Sequence, residues 1–220
     1  MSGPAAGPHL AGTGRLADDL YLLAHHERTG RPVLAPRAAG LGLAGALLGE
    51  LVLAGAIATT AAGAVVVTGA APPGDALAAG VLAQVAGENG PRPVAQWLAF
   101  LARTAPAGVA GRLEQAGYLV AVPARPWRAS RWHAADPDCA FAPVVRVKSA
   151  LDPSRPALVT AVALAGLAAA CGLGARLAGY LPPGSRVRLE QAAGRLDPCL
   201  REVITQTRAA VDGALLAHRI

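Results

Sequence analysis

The stretch that decides the fold is Pro36–Ala54, PRAAGLGLAGALLGELVLA. Pro36 suits the first position of a helix, because its fixed φ is already helical and it lacks the N–H that a helix start leaves unpaired. Gly55 follows the stretch and suits the left-handed residue that commonly ends a helix. Apolar side chains lie nearly all round the helix between these two residues, so we expect it to be central and buried.

The composition places this helix in a folded chain. The 220 residues suit one domain, and a hydrophobic fraction of 53% with a charged fraction of 15% excludes disorder driven by low hydrophobicity and high charge. Twenty basic residues against fourteen acidic residues give a net charge of +6, and every basic residue except Lys148 is an arginine. This balance permits an anionic partner, such as a membrane surface or a nucleic acid, without requiring one.

Signals for secretion and for an oxidising compartment are weak in this sequence. Cys139, Cys171 and Cys199 are odd in number and widely spaced, so they form neither a disulfide framework nor a zinc motif and fit a reducing cytoplasm. Residues 1–14 have neither the basic nor the apolar segment of a signal peptide, and we interpret them as a disordered tail. We therefore expect a cytoplasmic protein whose domain covers residues 15–220.

Helical periodicity extends over most of the sequence, without βαβ alternation or internal repeats. Two short β-hairpins are predicted, one over residues 57–68 and one that begins at Tyr118. Asp75 is placed to cap the helix that follows it, whereas Pro143 is expected to interrupt the helix that begins at Pro137. The sequence thus predicts a mainly α fold: a single compact multi-helix globular domain with two small β-hairpins. The predicted helices cover about 16–26, 36–54, 76–86, 93–102, 107–116, 137–151, 155–170, 187–196 and 198–218.

Two uncharged stretches, 51–74 and 157–175, raise the alternative of a membrane-spanning protein. Eleven of the nineteen residues in the second stretch are alanine or glycine, which gain little free energy on transfer into lipid. The first stretch contains the turn residues of the predicted hairpin, which interrupt any helix there. We therefore interpret both stretches as parts of a buried core.

The glycines at residues 40–45 (GLGLAG) match the dinucleotide-binding pattern G-x-G-x-x-G. The context of a nucleotide site is missing, because no clear strand precedes the pattern and no acidic residue lies between Glu50 and Asp75 to contact a ribose. Close packing of helices explains the same glycines better, because a residue without a Cβ lets two backbones approach.

No arrangement of metal-binding or catalytic residues emerges from the sequence. His25-His26-Glu27 predicts a solvated helix end, since adjacent residues on a helix point in different directions. Sequence motifs of a nucleophile elbow, a phosphate loop and a zinc protease are all lacking. We predict no catalytic residue, no metal site and no cofactor. The remaining compact set of metal-capable side chains matches no common site spacing: His133, Asp136, Asp138 and Cys139.

The segment 123–133 (PARPWRASRWH) is rich in arginine and tryptophan and contains no acidic residue. Tryptophan favours the membrane interface and the planar guanidinium of arginine pairs with phosphates, so this composition suits lipid headgroups. In the alternative interpretation, one tryptophan anchors the hairpin to the helical core while the arginines are solvated. The basic and aromatic residues concerned are Arg125, Trp127, Arg128, Arg131 and Trp132.

Five sequence signatures together resemble the Golgi phosphoprotein 3 family, as in a bacterial member, over about residues 15–215. The resemblance implies a compact helical domain without catalytic activity that binds phosphatidylinositol 4-phosphate on the cytosolic face of a membrane. In eukaryotes, members of this family link Golgi enzymes to coat proteins. The signatures are ADDLYLLAHHERTGRP (17–32), GLAGALLGELVLAGAI (42–57), APPGDALAAGVL (71–82), RLEQAGYL (112–119) and DPSRPALVTAVALAGL (152–167).

The resemblance also implies a lipid headgroup pocket that is only partly retained. The family uses a tryptophan ahead of the second helix, an arginine inside it and a basic pair just before the helix that ends at the GYL signature. An ungapped alignment places Ala35, Ala44, Arg103 and Pro106 at these positions. Only Arg103 matches, and Arg37 is placed to substitute from nearby. Such losses remove much of the bidentate phosphate recognition that makes a pocket specific.

We therefore expect a non-enzymatic protein that associates peripherally with the cytosolic face of a membrane. The expected partner is an anionic lipid, with a phosphoinositide-like headgroup as one candidate, and not a nucleic acid. By resemblance, the second hairpin promotes self-association, so a homo-oligomer through it is an expected state. The alternative is a soluble protein-interaction or oligomerisation module without lipid specificity. The candidate lipid-binding residues are Arg103, Arg37, Arg125, Trp127, Arg128 and Arg131.

Overall fold

The structure is a computed structural model that describes residues 13–71, 73–122, 131–151 and 157–217. Within these ranges the chain forms ten helices and two small antiparallel sheets, which confirms the predicted mainly α fold. The predicted tail at 1–14 lies outside the described residues except for Thr13 and Gly14. The helices are α1 (Leu16–Leu23), α2 (Pro36–Leu53), α3 (Ala76–Ala86), α4 (Val94–Leu101), α5 (Ala105–Gln115), α6 (Pro137–Ser149), α7 (Val159–Ala170), α8 (Gly174–Ala178), α9 (Ser185–Ala193) and α10 (Pro198–Ala217).

Helix α2 is central, as its sequence predicts. It packs against α1, α4, α5, α7 and α10, and most of its side chains are buried. Gly55 follows its end with a φ of 68°, in the left-handed region that favours glycine. Among the described residues α2 is the one helix long and apolar enough to cross a membrane, and 67% of it is buried inside the domain. Burial of this kind is typical of a core helix.

Two glycines of α2 confirm the close-packing interpretation of the G-x-G-x-x-G pattern. A Cβ at Gly42 would overlap the sulfur of Cys171, and a Cβ at Gly45 would overlap the hydroxyl of Thr207. Gly42 therefore lets the end of α7 approach α2, and Gly45 does the same for α10. These contacts are backbone-to-side-chain packing inside the core, as the close-packing interpretation predicts.

The strands form two short sheets at the edges of the helical core. The first predicted hairpin is present as β1 (Ile57–Thr59) and β2 (Ala64–Val67), paired with Ile57 opposite Val67. A third strand that the sequence did not predict, β3 (Arg92–Pro93), pairs with β2. The second predicted hairpin is present as β4 (Leu119–Val122) and β5 (Arg131–Ala134), with Leu119 opposite Ala134.

The predicted interruption at Pro143 is wrong, because α6 runs through it without a break. A proline inside a helix loses one backbone hydrogen bond and crowds the preceding turn, at a cost of about 3 kcal/mol. Pro143 is buried in α6, which packs against α1 and α7, so tertiary packing offsets this local cost. The cap at Asp75 is confirmed: its side chain accepts a hydrogen bond of 3.0 Å from the amide of Ala78.

Candidate functional site

Arg37 lies in the first turn of α2, where its side chain is exposed and lines a groove of about 350 Å³. The described walls of this groove come from α2, α4 and the last turns of α10, and apart from Arg37 their residues are apolar or glycine. Small side chains such as Ala95, Ala99 and Ala214 keep the groove open. Among the described residues, the groove therefore has an apolar floor with one cation, Arg37, at its edge.

Arg103 lies in the connection between α4 and α5, next to the start of α2. A Cβ at Gly40 would overlap the carbonyl oxygen of Ala102, so α2 and this connection are in close contact. Arg37 precedes Gly40 by three residues, less than one helical turn, and Arg103 directly follows Ala102. The packing at Gly40 thus places the two predicted lipid-binding arginines at the same end of the domain.

Both arginines are exposed, and neither forms an ion pair or a hydrogen bond with any described residue. The helices α2 and α5 both begin at this end, so their dipoles add to its positive potential. Phe100, on α4, is 58% exposed and stacks edge-to-face on the buried Trp97. We call Arg37, Arg103, Phe100 and the groove that Arg37 lines the Arg37–Arg103 surface. It combines cationic and apolar groups as a membrane interface requires.

The other predicted site residues are in the second hairpin. Arg125, Trp127 and Arg128 lie outside the described residues, and Arg131 opens β5, where its backbone pairs with Val122. Trp132 is partly buried against the core, and its indole N–H donates a hydrogen bond of 3.1 Å to Glu114. For Trp132 the anchoring interpretation is therefore confirmed.

A buried charged cluster around Arg112 is the main feature that the sequence analysis missed. Arg112, on α5, is 7% exposed, and its guanidinium contacts carboxylates from three other elements. It donates to Asp18 of α1 at 2.8 Å, to both oxygens of Glu50 of α2 at 3.0 Å, and to Asp75 before α3 at 2.6 Å. The sequence predicted the helix cap at Asp75 but no buried partner for Asp18 or Glu50. An acid isolated in an almost uncharged helix, as Glu50 is in α2, is the signal that it needs a buried partner.

The pKa values in the Arg112 cluster are shifted by the burial of its groups and by the ion pairs between them. Burial raises the pKa of Asp18 and Glu50 above their ordinary values, and Arg112 only partly offsets this. Burial also raises the pKa of Asp75, but hydrogen bonds from the Ala78 amide and Arg112 outweigh it and hold that pKa below its ordinary value. Burial alone would lower the pKa of Arg112, whereas its bonds to Glu50 and the neighbouring charges raise it. The cluster therefore keeps a permanent cation tied to three acids.

The Arg112 cluster also positions the Arg37–Arg103 surface. Helix α5 begins two residues after Arg103, and Arg112 ties α5 to Glu50 on the same helix that carries Arg37. The arginine is enclosed and its hydrogen-bonding capacity is largely used within the fold, so we assign it a structural role. The pKa shifts of the groups in the Arg112 cluster therefore result from burial and ion pairing inside the fold.

The predicted solvated helix end at His25-His26-Glu27 is wrong for His25. Its ring stacks on Tyr21 with centroids 4.1 Å apart and its Nδ1 lies 2.7 Å from the Tyr21 carbonyl oxygen, while Glu27 pairs with Arg176. Helix α1 ends earlier, at Leu23, so these residues belong to a packed turn. No three His, Cys, Asp or Glu side chains in the described part of the chain are arranged to hold a metal ion.

Within the described residues, the fold and the site define a mainly helical domain in which the buried Arg112 is structural, and the exposed Arg37 lines an apolar groove at the same end as the exposed Arg103. The sequence model of Golgi phosphoprotein 3 (GPP34) matches residues 16–215. The chain therefore belongs to the Golgi phosphoprotein 3 family. A comparison with curated proteins finds no match.

Proposed function

We propose that this protein is a non-enzymatic peripheral membrane protein that binds anionic lipid through the Arg37–Arg103 surface. The observation that carries the proposal is that two exposed arginines, from α2 and from the α4–α5 connection, lie at one end of the domain, where Arg37 lines an apolar groove. Phe100, on the helix α4 that also lines this groove, is exposed. Membership of the Golgi phosphoprotein 3 family supports a lipid-binding role. A protein of this kind acts in the cytoplasm, on the cytosolic face of a membrane.

Attraction to anionic lipids in general fits this surface better than strong specificity for phosphatidylinositol 4-phosphate. Ala44 stands where the family resemblance places an arginine, and it is fully buried in the core. Ala35 stands at the position of the family's tryptophan and offers no ring. Two guanidinium groups without these partners supply charge and some bidentate pairing, but few of the contacts that select one headgroup. Each arginine near an anionic surface contributes about 1 kcal/mol.

Vesicle co-sedimentation tests the proposal. We expect the protein to sediment with vesicles of phosphatidylcholine and phosphatidylglycerol and to remain in the supernatant with pure phosphatidylcholine. The variant Arg37→Glu/Arg103→Glu should lose most of the binding, because it replaces two attractive charges by repulsive ones. Equal recovery with neutral and anionic vesicles would contradict the proposal.

A matched control comes from Arg201 and Arg208 on α10. These arginines are exposed, make no ion pair with the described residues, and lie seven positions apart on one side of the helix. That side is different from the one carrying Ala214 and Ala217, which line the groove. Arg201→Glu/Arg208→Glu carries the same change in net charge and should keep the vesicle binding. If both double variants bind equally, the hairpin residues Arg125, Trp127, Arg128 and Arg131 become the next candidates.

A further inference from the structure

A second and larger groove, of about 690 Å³, lies between α6 and the segment that leads from α8 into α9. Phe141 of α6 and Tyr180 after α8 form its aromatic part, edge-to-face with ring centroids 5.4 Å apart. Phe141 is 39% exposed, Tyr180 43% and Val145 54%, so three large apolar side chains at one groove contact solvent. Its volume falls in the range of about 300–1,000 Å³ that is typical of small-molecule sites.

Two cations lie at the edge of this groove. Lys148, the only lysine of the chain, is exposed on α6 and forms no hydrogen bond or ion pair with any described residue. Arg188 of α9 donates to the backbone carbonyls of Leu151 at 3.4 Å and Pro183 at 3.1 Å, which holds its guanidinium at the groove. No carboxylate is present among the described residues that line the groove. The lining therefore complements a ligand with one apolar part and one negative charge.

We propose that this groove binds a single-chain anionic amphiphile of the fatty-acid type. The chain lies against Phe141, Val145 and Tyr180, and the carboxylate contacts Lys148 beside Arg188. Charge complementarity favours this ligand, because apolar burial supplies most of the affinity while a charge-assisted hydrogen bond from Lys148 orients the head. None of these residues belongs to the Arg37–Arg103 surface, so the groove is a separate site.

Calorimetric titration with dodecanoate, below the concentration at which it forms micelles, tests the proposal. We expect saturable binding at a single site, and binding of the uncharged dodecanol that is weaker by about tenfold, the value of one charge-assisted hydrogen bond. Lys148→Gln should lower the affinity for dodecanoate to that for dodecanol and leave the dodecanol affinity unchanged. Equal affinities of the wild type and Lys148→Gln for dodecanoate would overturn the assignment of the head.

A groove-filling variant tests the apolar part. Val145→Trp places an indole in the groove from an exposed position, so it should abolish binding of both ligands while the thermal midpoint changes little. The matched control is Val187→Trp, since Val187 on α9 is 56% exposed and does not line the groove. Retained dodecanoate binding by Val145→Trp, or absence of saturable binding by the wild type, would overturn the proposal.

Two further measurements separate this site from membrane binding. Arg37→Glu/Arg103→Glu should bind dodecanoate as the wild type does, whatever its behaviour with vesicles. Dihexanoyl phosphatidylglycerol, kept below the concentration at which it forms micelles, should not compete with dodecanoate for the groove. Competition by this soluble phospholipid would assign the groove to a membrane lipid and overturn the proposal of a free amphiphile.

Discussion

The two ends of α2 carry charges in opposite surroundings. Near its C-terminal end, Glu50 is only 11% exposed and receives two hydrogen bonds from Arg112. In its first turn, Arg37 is exposed and contacts no acid among the described residues. The abundant arginines of this chain therefore have different roles, which are determined by burial and by ionic partners and cannot be read from composition.

The buried end of α2 has the larger energetic consequences. Transferring charged groups from water into the protein interior has an unfavourable desolvation free energy. The attraction within a buried cluster offsets it only while every partner is present. At the exposed end, water solvates the guanidinium and no partner is needed in the fold. A substitution at the buried end should therefore change stability, whereas one at the exposed end should change binding.

The largest expected effect is that of Arg112→Ala. Removing the guanidinium leaves Asp18, Glu50 and Asp75 as buried or partly buried acids without their shared cation. We expect the free energy of unfolding to fall by about 3–5 kcal/mol, the usual effect of breaking a buried ion pair from one side. Urea denaturation followed by circular dichroism measures it.

The control for this prediction neutralises the acids as well. Arg112→Ala combined with Asp18→Asn and Glu50→Gln should recover part of the lost stability, because fewer uncompensated charges remain buried. A loss below about 1 kcal/mol for Arg112→Ala would mean that the acids are already protonated or solvated in the fold.

Local signals in the sequence predicted much of the fold. Helix α3 begins and ends at the predicted residues. Its start was predictable because the capping residue, Asp75, directly precedes it in the sequence. Helix α2 was equally predictable from its terminal proline, its terminal glycine and its apolar surface. Strand β3 was missed, because two residues carry no periodicity and their pairing with β2 depends on the tertiary fold. The continuity of α6 through Pro143 depends on tertiary packing in the same way.

The sequence predicted individual residues of the candidate site but not how they are arranged in space. Arg37 and Arg103 were both named, but the contact that brings them together is made by Gly40 against Ala102. The Arg112 cluster joins residues as far as 94 positions apart, and no local pattern encodes such a separation. A charged residue within an apolar helix needs a partner, because burying an unpaired charge is unfavourable. The sequence can therefore identify the members of such a cluster, but it cannot show which of them pair.

A second effect concerns the pH dependence of stability at Asp19, a buried residue of α1 that directly follows Asp18 of the Arg112 cluster. Burial raises the pKa of Asp19 from 3.8 to about 7, although the Arg146 guanidinium opposes this, and the charges of Asp18 and Glu50 add to it. Between about pH 4 and pH 7 the folded chain therefore holds a proton that the unfolded chain releases. Stability should fall as the pH rises through this window, by about 1.4 kcal/mol per pH unit for one proton.

The control for this pH dependence is Asp19→Asn. Urea denaturation of both proteins from pH 4 to pH 8 should show a free-energy difference that shifts in favour of Asp19→Asn as the pH rises. Burial raises the pKa of Asp18 and Glu50 in the same direction, so some dependence should remain in the variant. Parallel curves for the two proteins would contradict the prediction, since Asp19 would then titrate alike in the folded and unfolded chains.

The smallest effect on stability is expected at the exposed end, from Arg37→Ala and Arg103→Ala. Neither side chain has an ionic partner among the described residues, so each change should alter the free energy of unfolding by less than about 0.5 kcal/mol. The same changes should weaken binding to anionic vesicles by about 1 kcal/mol each at low ionic strength, and by less at high salt, where charges are screened. Urea denaturation and vesicle titration of the same preparations measure both quantities. A stability loss approaching that of Arg112→Ala would make Arg37 a structural residue and remove the contrast between the two ends of α2.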